Sequence, residues 1–464
     1  MKKIFVSLIL LMVTTLLISC IKQEGVDTQT SDNNDLTTAI IPTDFNWKMT
    51  QNITTNFTSV AHQTMVFVSL PDANAPFSSF LVGAGIPPMT LDIPTNYSKL
   101  KVQYQKEDGL STPVELQVMA NAVSYAVPAD SKEVIEFPQA VAYSKANGSK
   151  DDTKDENATI IPATGWGTLM FEDLYPAIGD YDFNDLVINY KIELLPFGMN
   201  NVGALTATFR VAAVGGSLPF EFYMQLDNVL GSNVGYEING INGGNFNVSG
   251  IKNSPDPKAI KIEKFAINKN DDPVAFSIKG IKANKKYPNA AGTLNVTKGK
   301  ELLSDELVEF KVKIVFENFV ALEEFTKGQI NFFIAQNNPF PNSGNVPSGF
   351  GAKLYEIHCN GYRPTYQGEV LYDYLKKNSN ITNACKQSYT SNSNLVWAIN
   401  IPDNILHTYE CQTFVTNANG KKVKEYNFTN AYPNFKAWAE SGGASNKDWY
   451  KDGSRNMKYL VPAT

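Results

Sequence analysis

Apolar and polar residues alternate one by one over long parts of this chain, and that period of two restricts the fold more than any other feature. Leu100-Lys101-Val102-Gln103-Tyr104-Gln105, Val114-Glu115-Leu116-Gln117-Val118, Ala207-Thr208-Phe209-Arg210-Val211 and Phe310-Lys311-Val312-Lys313-Ile314 all show it. A strand points successive side chains to opposite faces, so this pattern builds a sheet with one face in a core and one in water. Asn-Gly pairs at Asn239-Gly240, Asn360-Gly361 and Asn419-Gly420 offer the positive φ angles of tight hairpins. The last is flanked by two strand-like arms, Cys411 to Thr416 and Val423 to Phe428. Helical periodicity is nearly absent; one short helix is expected at Tyr432 to Glu440, with Pro433 in its first turn. The expected fold is all-β, with tandem β-sandwich-like domains and little helix. The charged segment Ser144 to Asn157, SKANGSKDDTKDEN, is expected to part an N-terminal β-sandwich (43–145) from a larger β-rich unit (158–464). An exposed loop within one unit is the competing reading.

The first twenty residues read as an address. Lys2 and Lys3 precede an almost unbroken apolar run, Ile4 to Ile18, too short and wrongly flanked for a comfortable membrane span. The run closes on Leu17-Ile18-Ser19-Cys20, which resembles the bacterial lipobox. The pattern reads as a cleaved signal (1–20), and the resemblance implies lipidation at Cys20, the alternative being an ordinary secretory signal with an incidental cysteine; the polar stretch Thr28 to Thr38 then reads as part of a flexible tether over 21–42. An outer-membrane lipoprotein, held by its lipid and exposed at the cell surface, is the expected location. Lys plus Arg total 40 against 46 Asp plus Glu, a formal charge of -6, which argues against a nucleic-acid partner. Beyond Cys20, the thiols Cys359, Cys385 and Cys411 allow one disulfide with one thiol left over, or three buried apolar side chains, and match no zinc spacing.

Ion chemistry falls to the acids, because the chain has only 3 histidines. Phe171 to Tyr190 reads FEDLYPAIGDYDFNDLVINY, with Glu172, Asp173, Asp180, Asp182 and Asp185 close together and no Lys or Arg from Asp155 to Tyr190. Gly179 permits a sharp turn. In an extended stretch Asp180, Asp182 and Asn184 project to one side, and Asp185 opens an apolar strand. Converging carboxylates raise one another's pKa values, and a hard divalent cation relieves the repulsion. Calcium, which takes several oxygens in flexible geometry, is the expected ion, with a structural role. The glycine precedes the acids, so this is not an EF-hand loop. The alternative is a solvated acidic turn whose Asp and Asn side chains cap the backbone.

The same string resembles the signature of the LruC domain, found in exported bacterial proteins that include many Bacteroidetes lipoproteins. The resemblance continues at Asn338-Pro339-Phe340, Glu356-Ile357-His358, Arg363-Pro364-Thr365, Asn394-Leu395-Val396-Trp397-Ala398 and Ala431-Tyr432-Pro433-Asn434-Phe435, ending near Asp448-Trp449-Tyr450. Cys359 departs from it, standing where an aliphatic residue is expected. The resemblance implies a β-rich surface module, adhesion-like, with calcium at the acidic motif.

No catalytic arrangement emerges. Gly215-Gly216-Ser217-Leu218-Pro219 lacks the last glycine of a nucleophile elbow, and His358 reads as a locally bonded strand residue. The expectation is therefore a non-enzymatic adhesion or interaction protein, with an unidentified protein or glycan ligand. The alternative is a glycan-binding accessory lipoprotein of a polysaccharide uptake system, motivated by Trp166, Trp397, Trp438, Trp449 and Tyr450. Core packing is the competing role for these rings.

Overall fold

The computed structural model describes residues 36–59, 62–135, 157–216, 218–234, 246–265, 273–288, 292–337, 354–377, 389–410, 414–416, 422–424 and 427–462. The expected signal, Cys20, most of the tether and most of the 144–157 boundary lie outside them, as do Cys385, Cys411 and Asn239-Gly240.

The first strands are β1 (Thr50–Ser59), β2 (Thr64–Ser69), β3 (Ser78–Val82), β4 (Met89–Pro94), β5 (Lys99–Lys106), β6 (Gly109–Leu110), β7 (Val114–Gln117) and β8 (Ala122–Val127). They form a three-stranded sheet in the order β4-β1-β8 and a five-stranded one, β3-β2-β5-β6 with β7 also on β5. Only β1 and β8 among these pair in parallel. The alternating Leu100, Val102 and Tyr104 of β5 are buried, as the period of two requires.

Two larger sheets follow. The seven-stranded sheet takes β9 (Thr159–Ile161), β10 (Gly167–Phe171), β11 (Leu186–Pro196), β12 (Asn201–Ala213), β14 (Phe246–Lys252), β17 (Val308–Ala321) and β20 (Ala398–Ile401). Its main path runs β14-β17-β12-β11-β10-β20. The five-stranded sheet takes β13 (Phe220–Leu230), β15 (Lys261–Phe265), β16 (Pro273–Lys279), β18 (Ile330–Asn337) and β19 (Leu354–His358), ordered β15-β16-β13-β18-β19. Phe209 of β12 meets Phe222 of β13 at 5.4 Å and Phe332 of β18 at 6.0 Å between ring centroids, so the two sheets face each other across an aromatic core. One contiguous apolar cluster runs from Ile53 in β1 to Ala398 in β20. The all-β expectation holds.

The other face of the seven-stranded sheet is covered by a second cluster. On β10, Leu169 and Phe171 join the first core while Met170 joins the second, so this strand is buried on both faces. The covering layer combines the chain's opposite ends. Leu36, Ala39, Ile41, Phe45 and Trp47 pack with Phe435, Trp438 and Trp449. Within the expected tether, Leu36, Ala39 and Ile41 are buried against the C-terminal aromatics while Ile40 is exposed.

Helix is scarce, as expected, but its placement differs in part. The helix near the C-terminus begins at Phe435 and ends at Glu440, leaving Pro433 before its first turn. A second helix, Tyr366–Lys377, was not foreseen. Its signal was short: Thr365 caps it through Oγ1 to the Gly368 N–H at 3.3 Å, and Leu371 and Leu375, four apart, form the buried face. Asn360-Gly361 turns β19 towards this helix and makes no hairpin, although Gly361 has the positive φ of 92°. The arms flanking Asn419-Gly420 do pair antiparallel, with Val415 opposite Val423, while the turn itself lies outside the described residues.

Candidate metal centre

β10 and β11 are neighbours in register, Phe171 opposite Leu186, so residues 172–185 form one long hairpin connection. Its shape is set by two bulky residues in the left-handed region, Tyr181 at φ 56° and Phe183 at φ 54°. Non-glycine residues rarely adopt such angles, and they concentrate where the surroundings over-determine the chain. Here both rings are buried, and Phe183 packs edge-on against Phe428 at 5.2 Å and Phe435 at 6.1 Å. The backbone amides of Tyr181 and Phe183 then turn to Glu172, donating to Oε2 at 3.3 Å and Oε1 at 2.6 Å. Trp397 pins the same loop by donating Nε1–H to the Ala177 carbonyl at 2.7 Å.

The extended geometry expected for this stretch is therefore wrong. The left-handed residues fold the chain back, and the six nominated side chains divide. One oxygen from each of Glu172, Asp180 and Asp182 lies within 4.8 Å of the other two. Glu172 and Asp182 are buried, while Asp180 is exposed. Asp182 Oδ1 accepts from the Asn184 amide at 3.2 Å, whereas the buried Oδ2 has no hydrogen-bond partner. Asn184 is fully buried; its amide nitrogen faces Thr408 Oγ1 at 3.5 Å, and its side-chain oxygen is also unpartnered.

Asp173 and Asp185 form a separate pair. Asp185 Oδ2 accepts from the Asp173 N–H at 2.7 Å, and Asp173 Oδ2 accepts from the Leu218 N–H at 3.1 Å. Lys282, remote in sequence, supplies positive charge to Asp173 and lies over the Phe220 ring at 3.2 Å from its centroid. Burial pushes that ammonium down to about 8. The cation that the local sequence lacks thus arrives from elsewhere, but for Asp173, while the cluster of three remains acidic.

Burial is the main force raising the carboxyl groups, with mutual repulsion second. Asp182 is held well above its usual range by burial, then by Glu172, Glu410 and Asp185. Asp185 is raised by burial, then Asp173 and Glu172. Glu410 was missed in the sequence and joins the acidic environment from another segment, bonded to the Asn184 side chain. Beside it Thr408 donates Oγ1–H to the Asp182 carbonyl at 2.8 Å. Nothing local to Thr408-Tyr409-Glu410 marks it as part of a site; only tertiary pairing shows it. Three glycines also make room. A side chain at Gly179 would run into the Glu172 carboxylate, one at Gly215 into Asn184, and one at Gly216 would come within 2.5 Å of Asp173 Oδ2.

The remaining candidates are accounted for by packing. Trp397, Trp438, Trp449 and Tyr450 are buried. His358 sits in β19 with Nδ1 2.8 Å from Asn331 Oδ1 and Nε2 3.0 Å from Glu356 Oε2, the local bonding expected of it. Cys359 is buried and free, and burial pushes its thiol up to about 12.

The family described as "Domain of unknown function (DUF4842)" matches residues 200–450, more than half of the sequence. The chain belongs to this family. The acidic loop lies before the matched span of the DUF4842 domain, and the family description carries no activity. No curated protein matches. Among solved structures, the chain is similar to a candidate lipoprotein from Bacteroides ovatus, with a TM-score of 0.55 and 18% sequence identity, covering 86% of this chain and 100% of that one. That likeness concerns the fold. Among the described residues no helix is long and apolar enough to cross a membrane.

Proposed function

We propose that this chain is a lipid-anchored, non-enzymatic adhesion or interaction protein of the outer membrane, exposed at the cell surface, with a structural calcium ion in its acidic loop. The observation that carries the ion is the cluster of Glu172, Asp180 and Asp182, two of them buried, with Asp182 Oδ2 lacking any hydrogen-bond partner. A buried acceptor left unsatisfied costs about 1–3 kcal/mol or more when charged, so the site fits a hard cation that accepts carboxylate oxygens. Glu172, Asp180 and Asp182 would hold it, with the unpartnered Asn184 side-chain oxygen as a further donor in the same loop. Bound calcium supplies positive charge to the loop that joins β10 to β11. The LruC-like motif, the lipobox at Cys20 and the fold shared with a candidate lipoprotein support the anchored, surface-module reading.

The non-catalytic part rests on the histidines. His358 is enclosed between Glu356 and Asn331, His407 bonds the Asn295 carbonyl at 2.7 Å, and His62 bonds the Ser131 carbonyl at 2.7 Å. All three have partners outside the acidic cluster. The glycan-delivery alternative loses its first motivation, since four of the rings that suggested it are core.

The test is thermal unfolding of the full chain with calcium and with chelator. A midpoint raised by calcium, and no longer raised after Asp180→Ala plus Asp182→Ala, is expected; identical midpoints for the unaltered chain in both conditions overturn the ion. Protease added to intact cells should cut the chain; complete protection overturns the outward-facing location.

A further inference from the structure

A different cavity lies where the N-terminal strands meet the two large sheets. It is a cleft of about 270 Å³ whose walls include Trp47, Lys48, Asp92, Tyr190, Asp227 and Asn400. Its size is near the lower end of small-molecule sites, roughly 300–1,000 Å³, and junctions between structural units are a preferred place for them. Much of the wall is apolar, and among its polar groups Asp227 and Asn400 are each bonded through one side-chain oxygen.

Lys48 and Asp92 neutralise each other, Nζ to Oδ1 at 3.1 Å, so neither gives the cleft a net sign. Asp227 uses Oδ1 to accept from Gln225 Nε2 at 2.7 Å and lies 3.5 Å from Asn331 Nδ2 through the same oxygen. Among the described residues its side-chain hydrogen bonds all go to Oδ1, and Arg363 is near enough to lend it positive charge. Asn400 uses Oδ1 to accept from the Tyr190 hydroxyl at 2.9 Å, which directs its NH₂ group elsewhere. The cleft therefore offers a carboxylate acceptor and an amide donor beside an apolar wall, in which Tyr190 and Trp47 are themselves nearly buried. Trp47 holds φ 61° there, uncommon for so bulky a residue, and is fixed by donating Nε1–H to the Asn394 carbonyl at 2.8 Å.

A simple cation would satisfy Asp227 and leave the Asn400 amide facing another donor. A simple anion would do the reverse. Hydroxyl groups both donate and accept, and the C–H bonds between them suit a mostly apolar wall. We propose that this cleft binds a neutral polyhydroxylated ligand, one sugar residue of a glycan, with Asp227 accepting from its hydroxyls and Asn400 donating to a hydroxyl or ring oxygen. The site owes nothing to the acidic loop, so it stands or falls separately from calcium.

The experiment is calorimetric titration of the full chain with glucose, galactose, mannose, xylose and N-acetylglucosamine, and with short oligosaccharides of each, up to about 50 mM. At least one should bind saturably, with Asp227→Ala plus Asn400→Ala weakening it roughly tenfold or more. Should that double variant fail to fold, Asp227→Asn, which keeps the oxygen facing Gln225, should still weaken binding several-fold. Absence of saturation with every sugar overturns the proposal. So does sugar binding that the folded variants leave unchanged, or tighter binding of methylammonium or acetate than of any sugar.

Discussion

Asp182→Asn should stabilise the protein without calcium and destabilise it, relative to the unaltered chain, with calcium. At the 4.8 Å that encloses the oxygens of Glu172, Asp180 and Asp182, two unit charges repel by about 3.5 kcal/mol at an effective dielectric of roughly 20. Asp182 faces two such partners. The carboxyl can escape by taking up a proton, which at pH 7 costs about 4 kcal/mol from an ordinary pKa of about 3.9. That cost is a ceiling on what its charge withholds from the metal-free fold. Asparagine keeps the shape and retains an oxygen to accept from the Asn184 amide, the 3.2 Å bond of the native loop. The metal-free gain should therefore be about 2–4 kcal/mol, several degrees in the unfolding midpoint. Calcium at about a thousand times its dissociation constant adds about 4.1 kcal/mol to a protein that binds it, more than the variant's metal-free gain. The native chain collects that gain and the variant, short of one ligand charge, collects little. Unfolding curves of both proteins in chelator and in calcium should thus change order. A variant that melts below the native chain in chelator would refute the electrostatic reasoning, because the buried charge would then be contributing stability by itself.

Three further outcomes follow from the same structure. Gly179→Ala places a methyl group against the Glu172 carboxylate; it should cost about 1–3 kcal/mol and weaken calcium binding, and an unchanged calcium titration would contradict the loop's close packing. Trp47→Ala removes a ring lying 5.8 Å from Trp438 and 5.9 Å from Phe435; chemical denaturation should show a loss of about 3–5 kcal/mol, and a loss below about 1 kcal/mol would mean the N-terminal segment is only loosely attached. His407 is held neutral by burial, with its pKa depressed from 6.5 to about 4. The unfolded chain binds this proton below its ordinary pKa while the folded one resists until about 4, so His407's contribution is full above that ordinary value and lost as pH falls towards the depressed one. Between pH 7 and pH 5 the native chain should lose about 2 kcal/mol more than His407→Gln; parallel pH profiles would contradict this.

How much of this was readable in the residues depends on the range of the interaction that fixes each feature. Alternation is local, so β5 and β17 are visible directly from Leu100-Val102-Tyr104 and Phe310-Val312-Ile314. The helix Tyr366–Lys377 was hidden because it turns only a short apolar face, Leu371 and Leu375, inward and lies next to an Asn-Gly pair that reads as a hairpin. Leu36, Ala39 and Ile41 read as tether because their polar neighbours dominate the composition. Their burial comes from Trp438 and Phe435, four hundred residues away in a layer that no local pattern announces. The acidic loop shows both cases. Its density of carboxylates marked the candidate cluster, but period-two reasoning chose the wrong geometry, because the left-handed angles at Tyr181 and Phe183 are imposed by the aromatic pocket that receives their rings. This is why Glu172, at the start of the loop, stands with Asp180 and Asp182 while Asp185 turns to Asp173. The same pocket makes a connected prediction: emptying it by Phe428→Ala should disturb calcium binding without touching a carboxylate. An undisturbed affinity in a folded variant would show that the loop holds its shape by itself.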